Sequence, residues 1–208
     1  MNVLVTIGPT QEPLDAMRIL SNRSTGKLGT QLALTLAEAG HRVIALRGSG
    51  STIGPTPLME QGIEVIPFTT TKDLHALLEK TSKSEQIDAL FHAAAVSDFY
   101  FPNGSLDKIP SDRGPITLTL ESTPKLLSLL RGWFPLARLV GWKFEASGDK
   151  ESALAAARAQ ILKNKTDACV LNGPSYGEGF GILHAKGEFH NLPDREALCK
   201  LLRDFLDG

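Results

Sequence analysis

The sequence predicts an α/β fold in which a mainly parallel sheet lies between two helical layers, with a small hairpin near the C-terminus. Three observations predict it. Strand-like and helix-like segments alternate along the whole 208-residue chain. The first 48 residues already read strand, loop, helix, strand. Two long loops, 8–26 and 95–114, each follow a predicted strand. Repeated β–α alternation implies parallel strands joined by right-handed crossovers.

Each element has its own signal. Val3 to Ile7 is a short β-branched run. From Lys27 to Ala39 the apolar residues Leu28, Leu32, Leu34, Leu36 and Ala37 recur at helical spacing, and Gly40 follows as a helix-ending residue. Val43–Leu46 and Val65–Phe68 are strand-like, with a helix over Thr71–Ser82 and a buried strand over Ile87–Ala94. Ile116 to Leu120 alternates as ITLTL, a strand pattern. Pro124 is expected to open a helix at its first position, capped by Thr123. Arg138–Gly141 and Ala168–Leu171 read as strands on either side of an alanine-rich helix, Lys150–Leu162. Gly179–His190 reads as a hairpin, and Pro193–Leu206 as an amphipathic helix with Leu198, Leu201, Leu202 and Phe205 on one face. No linker or repeat divides the chain, so one domain over 1–208 is expected, Rossmann-like and three-layered.

Composition removes several function classes. Apolar residues make up 42% and charged residues 22%, and the formal net charge is −1, which disfavours a general nucleic-acid binder. No run approaches the ~20 apolar residues of a membrane span. The chain opens directly on a strand with no basic leader, so the cytoplasm is the expected location. Cys169 and Cys199 lie in apolar surroundings outside any C-x-x-C pair and are expected to be reduced core thiols.

Loops longer than ~12 residues are usually functional or disordered. In open α/β sheets the ligand crevice lies at the carboxyl ends of the strands, so both loops are expected to build one site. The first ends in Asn22-Arg23-Ser24-Thr25-Gly26-Lys27 and runs into a helix. Hydroxyls and glycines at a helix N-terminus suit an anion. A plain capping segment, with Ser24 or Thr25 as cap, gives the same pattern. Neither a Walker A element nor a G-x-G-x-x-G is present. The second loop opens Ala93-Ala94-Ala95-Val96-Ser97-Asp98. Small residues there admit a flat ligand, and Asp98 suits Mg2+ or a sugar hydroxyl; close packing with Asp98 as a cap is the plain alternative. Lys108 is either a phosphate contact or solvated surface. Trp142 either stacks on a base or packs. His92 reads as a core histidine, and His184 and His190 suggest no metal spacing.

Four segments carry a family resemblance: TIGPTQEPLDAMRILSNRSTGKLG (6–29), AAAVSDFYFP with KIPS (93–111), TPKLLSLL (123–130) and VGWKFEA (140–146). In order and spacing the chain resembles the phosphopantothenate–cysteine ligases, in a form without the flavin-dependent decarboxylase half. The resemblance implies a reaction in which a nucleoside triphosphate, CTP or alternatively ATP, activates the carboxylate of 4′-phosphopantothenate as an acyl-nucleotide with Mg2+. L-cysteine then attacks. It implies catalytic roles for Asn22, at the activated carbonyl, and Lys108, at the triphosphate. It implies nucleotide contacts from Gly8, Ser24, Thr25, Gly26, Ala93, Ala94, Ala95, Asp98, Lys108, Pro124, Lys125, Leu126, Leu127, Trp142 and Lys163. Asn22 and Arg23 would touch phosphopantothenate, Asp98 would be the metal carboxylate, and the functional unit would be a homodimer.

Three departures stand out. Gly8-Pro9-Thr10 replaces the family's Gly-Gly-Thr, and proline removes an N–H. Trp142 stands where the family usually has Phe. Gln160 and Asn164 fall where the family carries two lysines toward the triphosphate, which implies either a shifted helix or a differently held triphosphate. Two alternatives stay open: a nucleotide-binding protein of this fold that has lost activity, and a short-chain dehydrogenase or epimerase. The second lacks a Tyr-x-x-x-Lys pair, because neither Tyr100 nor Tyr176 has a lysine at that offset.

Overall fold

A computed structural model describes residues 1–102, 107–110 and 114–207. Its strands are β1 (Asn2–Ile7), β2 (Gln11–Pro13), β3 (Ile19–Ser21), β4 (Arg42–Gly48), β5 (Glu64–Phe68), β6 (Ala89–His92), β7 (Phe99–Tyr100), β8 (Glu121–Ser122), β9 (Arg138–Phe144), β10 (Ala168–Asn172), β11 (Phe180–His184) and β12 (Phe189–Leu192). Its helices are α1 (Lys27–Glu38), α2 (Thr56–Glu60), α3 (Thr71–Ser84), α4 (Leu127–Trp133), α5 (Lys150–Asn164) and α6 (Arg195–Asp207).

Eight strands form one sheet in the order β12-β11-β10-β9-β6-β1-β4-β5. The six from β5 to β10 pair in parallel, whereas β11 and β12 add as an antiparallel hairpin. Numbered by appearance, the parallel six follow the doubly-wound order 3-2-1-4-5-6. Val3, Leu4, Val5 and Ile7 of β1 are all buried, because helices cover both faces of the sheet. Leu32 and Leu36 of α1, Leu58 of α2 and Leu198 and Leu202 of α6 pack on one face with Val3 and Val5. Leu74 and Leu78 of α3 and Leu130 of α4 pack on the other with Leu4 and Leu90. Ala153, Ala157 and Ile161 of α5 extend that second layer over Cys169 and Leu171. Each fully buried leucine contributes roughly 1.5–3 kcal/mol.

Helix ends differ in a way that bears on the site. Thr70 with Asp73 and Asp149 with Ser152 form capping boxes on α3 and α5. The α1 N-cap is Gly26 in the left-handed region, with no side-chain cap. Neither Ser24 nor Thr25 is the N-cap residue, although Thr25 Oγ1 accepts weakly from Lys27 N at 3.3 Å.

The structure corrects several expected elements. Residues 116–120 are not a strand, because the ITLTL alternation finds no partner among the described residues; Ile116 is 49% exposed, and Glu121–Ser122 pairs with Phe99–Tyr100. The fourth helix starts at Leu127 rather than Pro124, since the buried Thr123 hydroxyl donates to Ser97 O instead of capping. The first loop contains the β2–β3 hairpin, and α2 was not anticipated. Both cysteines are buried free thiols, and burial raises each to about 12.

Candidate active site

The strand order reverses at β1, which has β4 on one side and β6 on the other. Both long loops leave the sheet there, at the switch point where doubly-wound folds bind ligands. Their first residues pair as an isolated parallel bridge, Pro9 with Ala95. Ala95 N donates to Gly8 O at 2.9 Å and Thr10 N to Ala95 O at 3.2 Å, so the bridge never calls on the missing Pro9 N–H. Gly8 is required by geometry: its φ is +80°, and a Cβ there would stand 1.9 Å from Ser51 Oγ.

Beneath the crevice lies a buried polar platform. Glu12 Oε1 accepts from Thr71 N (2.8 Å) and from the Thr71 hydroxyl (2.7 Å), which also touches the Thr10 hydroxyl (3.2 Å). Thr10 Oγ1 in turn accepts from Ser97 N at 2.8 Å. Asp15, 4% exposed, accepts from the backbone of Met17, Arg18 and Ile109, and pairs with the Arg18 guanidinium at 2.6 Å. Burial pushes the Asp15 carboxyl up, but the Met17, Ile109 and Arg18 amides and the Arg18 charge outweigh it, and the net shift is downward. Sequence reasoning missed both carboxylates, because Glu12 bonds the distant Thr71 and Asp15 adds to its local partners a bond to the distant Ile109.

Between α4, α5 and the ends of β6 and β9 opens a cavity of about 660 Å3. Of the expected site residues, Ala94, Asp98, Pro124, Lys125, Leu126, Leu127, Trp142 and Lys163 line it. Lys125 pairs with Asp98 across the rim, and Lys143 pairs with Glu145 at 3.0 Å. Lys163 also faces the cavity and has no polar partner among the described residues. Ala156 and Ala159 leave room on the α5 side. Trp142 packs against the core and lines the cavity at once, and its buried indole N–H has no hydrogen-bond partner among the described residues.

Gln160 and Asn164 line the cavity too, beside Lys163, two amides where the resemblance implied lysines. Gln160 Nε2 donates to Cys169 Sγ at 3.2 Å, and Gly141 leaves it space, since a Cβ there would lie 2.8 Å from it. His92 is buried, contacts Thr6 Oγ1 at 2.9 Å, and is driven down to about 4 by burial, so its ring is neutral at pH 7.

The remaining expected residues lie outside this cavity. Asn22 joins it to the first loop: its amide Nδ2 donates to Val96 O at 2.8 Å. Gly8, Ser24, Thr25 and Gly26 stand at the neighbouring start of α1, Arg23 is exposed, Ala95 forms the bridge and Ala93 precedes it. Lys108 is exposed and not among the cavity residues, but its neighbour Ile109 is tied to Asp15 at 3.0 Å and to Arg18 Nη1 at 3.3 Å. Ser111 of the KIPS segment lies outside the described residues.

Comparison with known proteins adds the family. The profile of the DNA/pantothenate metabolism flavoprotein C-terminal domain matches residues 1–196. The coenzyme A biosynthesis bifunctional protein CoaBC of Thermococcus kodakarensis is 35% identical over 170 residues, covering 82% of this chain and 40% of that protein. The phosphopantothenate–cysteine ligase of Homo sapiens is 31% identical, covering 69% of this chain and 63% of its own length. The chain thus spans about two-fifths of its bifunctional relative. A solved DNA/pantothenate metabolism flavoprotein from Streptococcus pneumoniae superimposes with a TM-score of 0.85 at 26% identity, covering 100% of this chain and 98% of that one.

Proposed function

Because this chain belongs to the family of the DNA/pantothenate metabolism flavoprotein C-terminal domain, we propose that it is a phosphopantothenate–cysteine ligase of coenzyme A synthesis. It joins 4′-phosphopantothenate to L-cysteine through an acyl-nucleotide. The observation that carries the reading is the junction of two unlike compartments through Asn22 and Val96. One is a half-apolar cavity suited to a base and sugar; the other is an uncapped helix start suited to an anion.

In this reading the nucleotide base lies against Trp142, and Lys163 and Lys125 face its phosphates. The triphosphate reaches the N-terminus of α1 beside Ser24, Thr25 and Gly26, and Lys108 neutralises charge as pyrophosphate leaves. Asn22 retains a second amide hydrogen after bonding Val96. That hydrogen donates to the oxygen that becomes anionic when the cysteine amine attacks. Arg23, exposed beside it, meets phosphopantothenate. A single exposed carboxylate with substrate phosphates is a pattern Mg2+ uses, so Asp98 fits that ion, which when bound offsets phosphate charge. CTP is the proposed nucleotide and ATP the alternative. The unit is a homodimer in the cytoplasm; Met17, Ile19 and Phe99, each about half exposed or more, offer apolar surface near the crevice.

The test is pyrophosphate release with phosphopantothenate, Mg2+ and either CTP or ATP, with and without cysteine. The expected result is cysteine-dependent product and faster turnover with CTP. No turnover with any triphosphate would sink the reading. The amides Gln160 and Asn164 favour a second one, a nucleotide binder without ligase activity. It predicts calorimetric triphosphate binding with no pyrophosphate released. The dehydrogenase or epimerase alternative falls with the family match.

A further inference from the structure

At the other end of the sheet, the C-terminal hairpin gathers three side chains with metal-ligand chemistry. His184 N donates to Glu188 O at 2.8 Å, and His190 stands opposite Ile182 in the antiparallel register. Side chains alternate along a strand, so His184, Glu188 and His190 fall on one face of the hairpin. Their ligand atoms lie within 4.8 Å of one another. His190 Nε2 is already 2.9 Å from Glu188 Oε1, and the two imidazole rings meet edge to face at 5.6 Å. In the linear sequence the histidines suggested no metal spacing; hairpin pairing supplies the geometry that helical spacing does not.

We propose that His184, Glu188 and His190 bind a divalent ion of the zinc class, with water at a fourth position. Two imidazoles and a carboxylate are a borderline-soft donor set, which zinc prefers over the hard all-oxygen sets of magnesium or calcium. Tetrahedral bonds of ~2.0–2.1 Å put ligand atoms about 3.3 Å apart, so side-chain rotations of roughly 1 Å close the cluster. The support is rigid: Ile182 and Leu183 are buried, and the His184 ring packs on Phe205 of α6 at 5.2 Å.

A cavity of about 410 Å3 beside the cluster is also lined by Arg138, Lys186 and Asp167. Asp167 Oδ2 is taken by Arg131 (2.8 Å) and Leu139 N (2.7 Å), so it does not cancel the two cations. Their repulsion sets the expected affinity in the micromolar range rather than tighter. Arg138 and Asp167 stand at the amino ends of β9 and β10, opposite the crevice. The ion would therefore clamp the edge strand β12 to β11 beneath α6 and take no part in the proposed ligase chemistry.

The experiment uses untagged, EDTA-stripped protein titrated with Zn2+ against a chromogenic chelator, alongside NMR of the imidazole resonances. One equivalent is expected, with resonances of His184 and His190 moving while those of His41, His75 and His92 stay. His184→Ala and His190→Ala should each weaken binding at least tenfold, and Glu188→Gln less. No binding below about 100 µM Zn2+, or binding that survives the double histidine variant, overturns the proposal. If a variant fails to fold, the wild-type resonance shifts decide alone: movement of any other set of histidines refutes it.

Discussion

The two crevice loops are held in opposite ways. The first, 8–26, is a scaffold: it carries its own hairpin and sinks two carboxylates, Glu12 and Asp15, into bonds of 2.6–3.0 Å. The second rides on the first. Ser97 hangs from Thr10, Val96 from Asn22, Ala95 from the Gly8–Thr10 bridge and Ile109 from Asp15. A ligand that must meet groups from both loops therefore depends on polar anchors more than on apolar packing. Substitutions on the rider should strike chemistry alone, whereas those in the scaffold should move both loops.

The largest effect is expected on the rider. Lys108→Gln should lower pyrophosphate release in the absence of cysteine by about 10²–10³, as loss of a transition-state cation typically does. Thermal stability should hold, because Lys108 is exposed. Near wild-type release would make the lysine ordinary surface and leave Lys163 as the main phosphate cation.

Asn22→Asp sharpens the comparison, because Asn22 is both scaffold and proposed catalyst. A carboxylate cannot donate to Val96 O and adds negative charge where negative charge develops. Quenched-reaction mass spectrometry should show pyrophosphate and accumulated acyl-nucleotide, with amide product down about a hundredfold. Equal slowing of both half-reactions would mean that only the loop–loop bond was lost.

Sequence patterns made the riding elements legible and the scaffold bonds illegible. The helices α1 and α6 announce themselves by apolar spacing and α5 by its alanines, and the two long loops mark the strand ends where the crevice opens. ITLTL misled because alternation reports a surface, not a partner strand. Thr123 misled because a hydroxyl before proline caps a helix locally yet bonds Ser97 here, 26 positions away. The Glu12–Thr71 and Asp15–Ile109 bonds span 59 and 94 positions, a range at which no local spacing carries information. Trp142 packs on the core and lines the cavity at once, so packing and a ligand-facing position are not the exclusive alternatives that the sequence pattern alone suggests.

Asp15→Asn tests whether the scaffold positions the rider. The amide can still accept from Met17, Arg18 or Ile109 but loses the charge on Arg18. The 107–110 segment should loosen, and the cysteine-independent step should slow by roughly tenfold, less than for Lys108→Gln. The wild type carries a matching pH signature. Because the native carboxyl sits below its ordinary value of 3.8, its stabilisation is complete above that value and is lost as pH falls through the lowered native one. Hydrogen exchange at Ile109 should therefore accelerate on acidification in the wild type and be fast and pH-insensitive in the variant, after correction for intrinsic exchange. Unchanged protection at Ile109 would show that the segment does not depend on this anchor.

Pro9→Gly should have the smallest effect. The proline replaces a residue whose N–H the family is expected to offer to phosphate. Yet the bridge to Ala95 runs through Gly8 O and Thr10 N, so the substitution leaves both of its bonds in place. One close backbone approach also limits what can move: a Cβ on Gly48 would fall 2.4 Å from Pro9 O. The variant gains unfolded-chain entropy, which should lower stability by about 0.5–1 kcal/mol. That corresponds to a few degrees in melting temperature at most. It also gains an N–H at the crevice. If triphosphate is held mainly by Lys108, Lys163 and the α1 N-terminus, kcat/KM for the nucleotide should change less than about threefold, or under 1 kcal/mol. A gain of tenfold or more, confined to KM, would show that proline removes a phosphate contact and that the start of the first loop, as well as its end, meets the nucleotide.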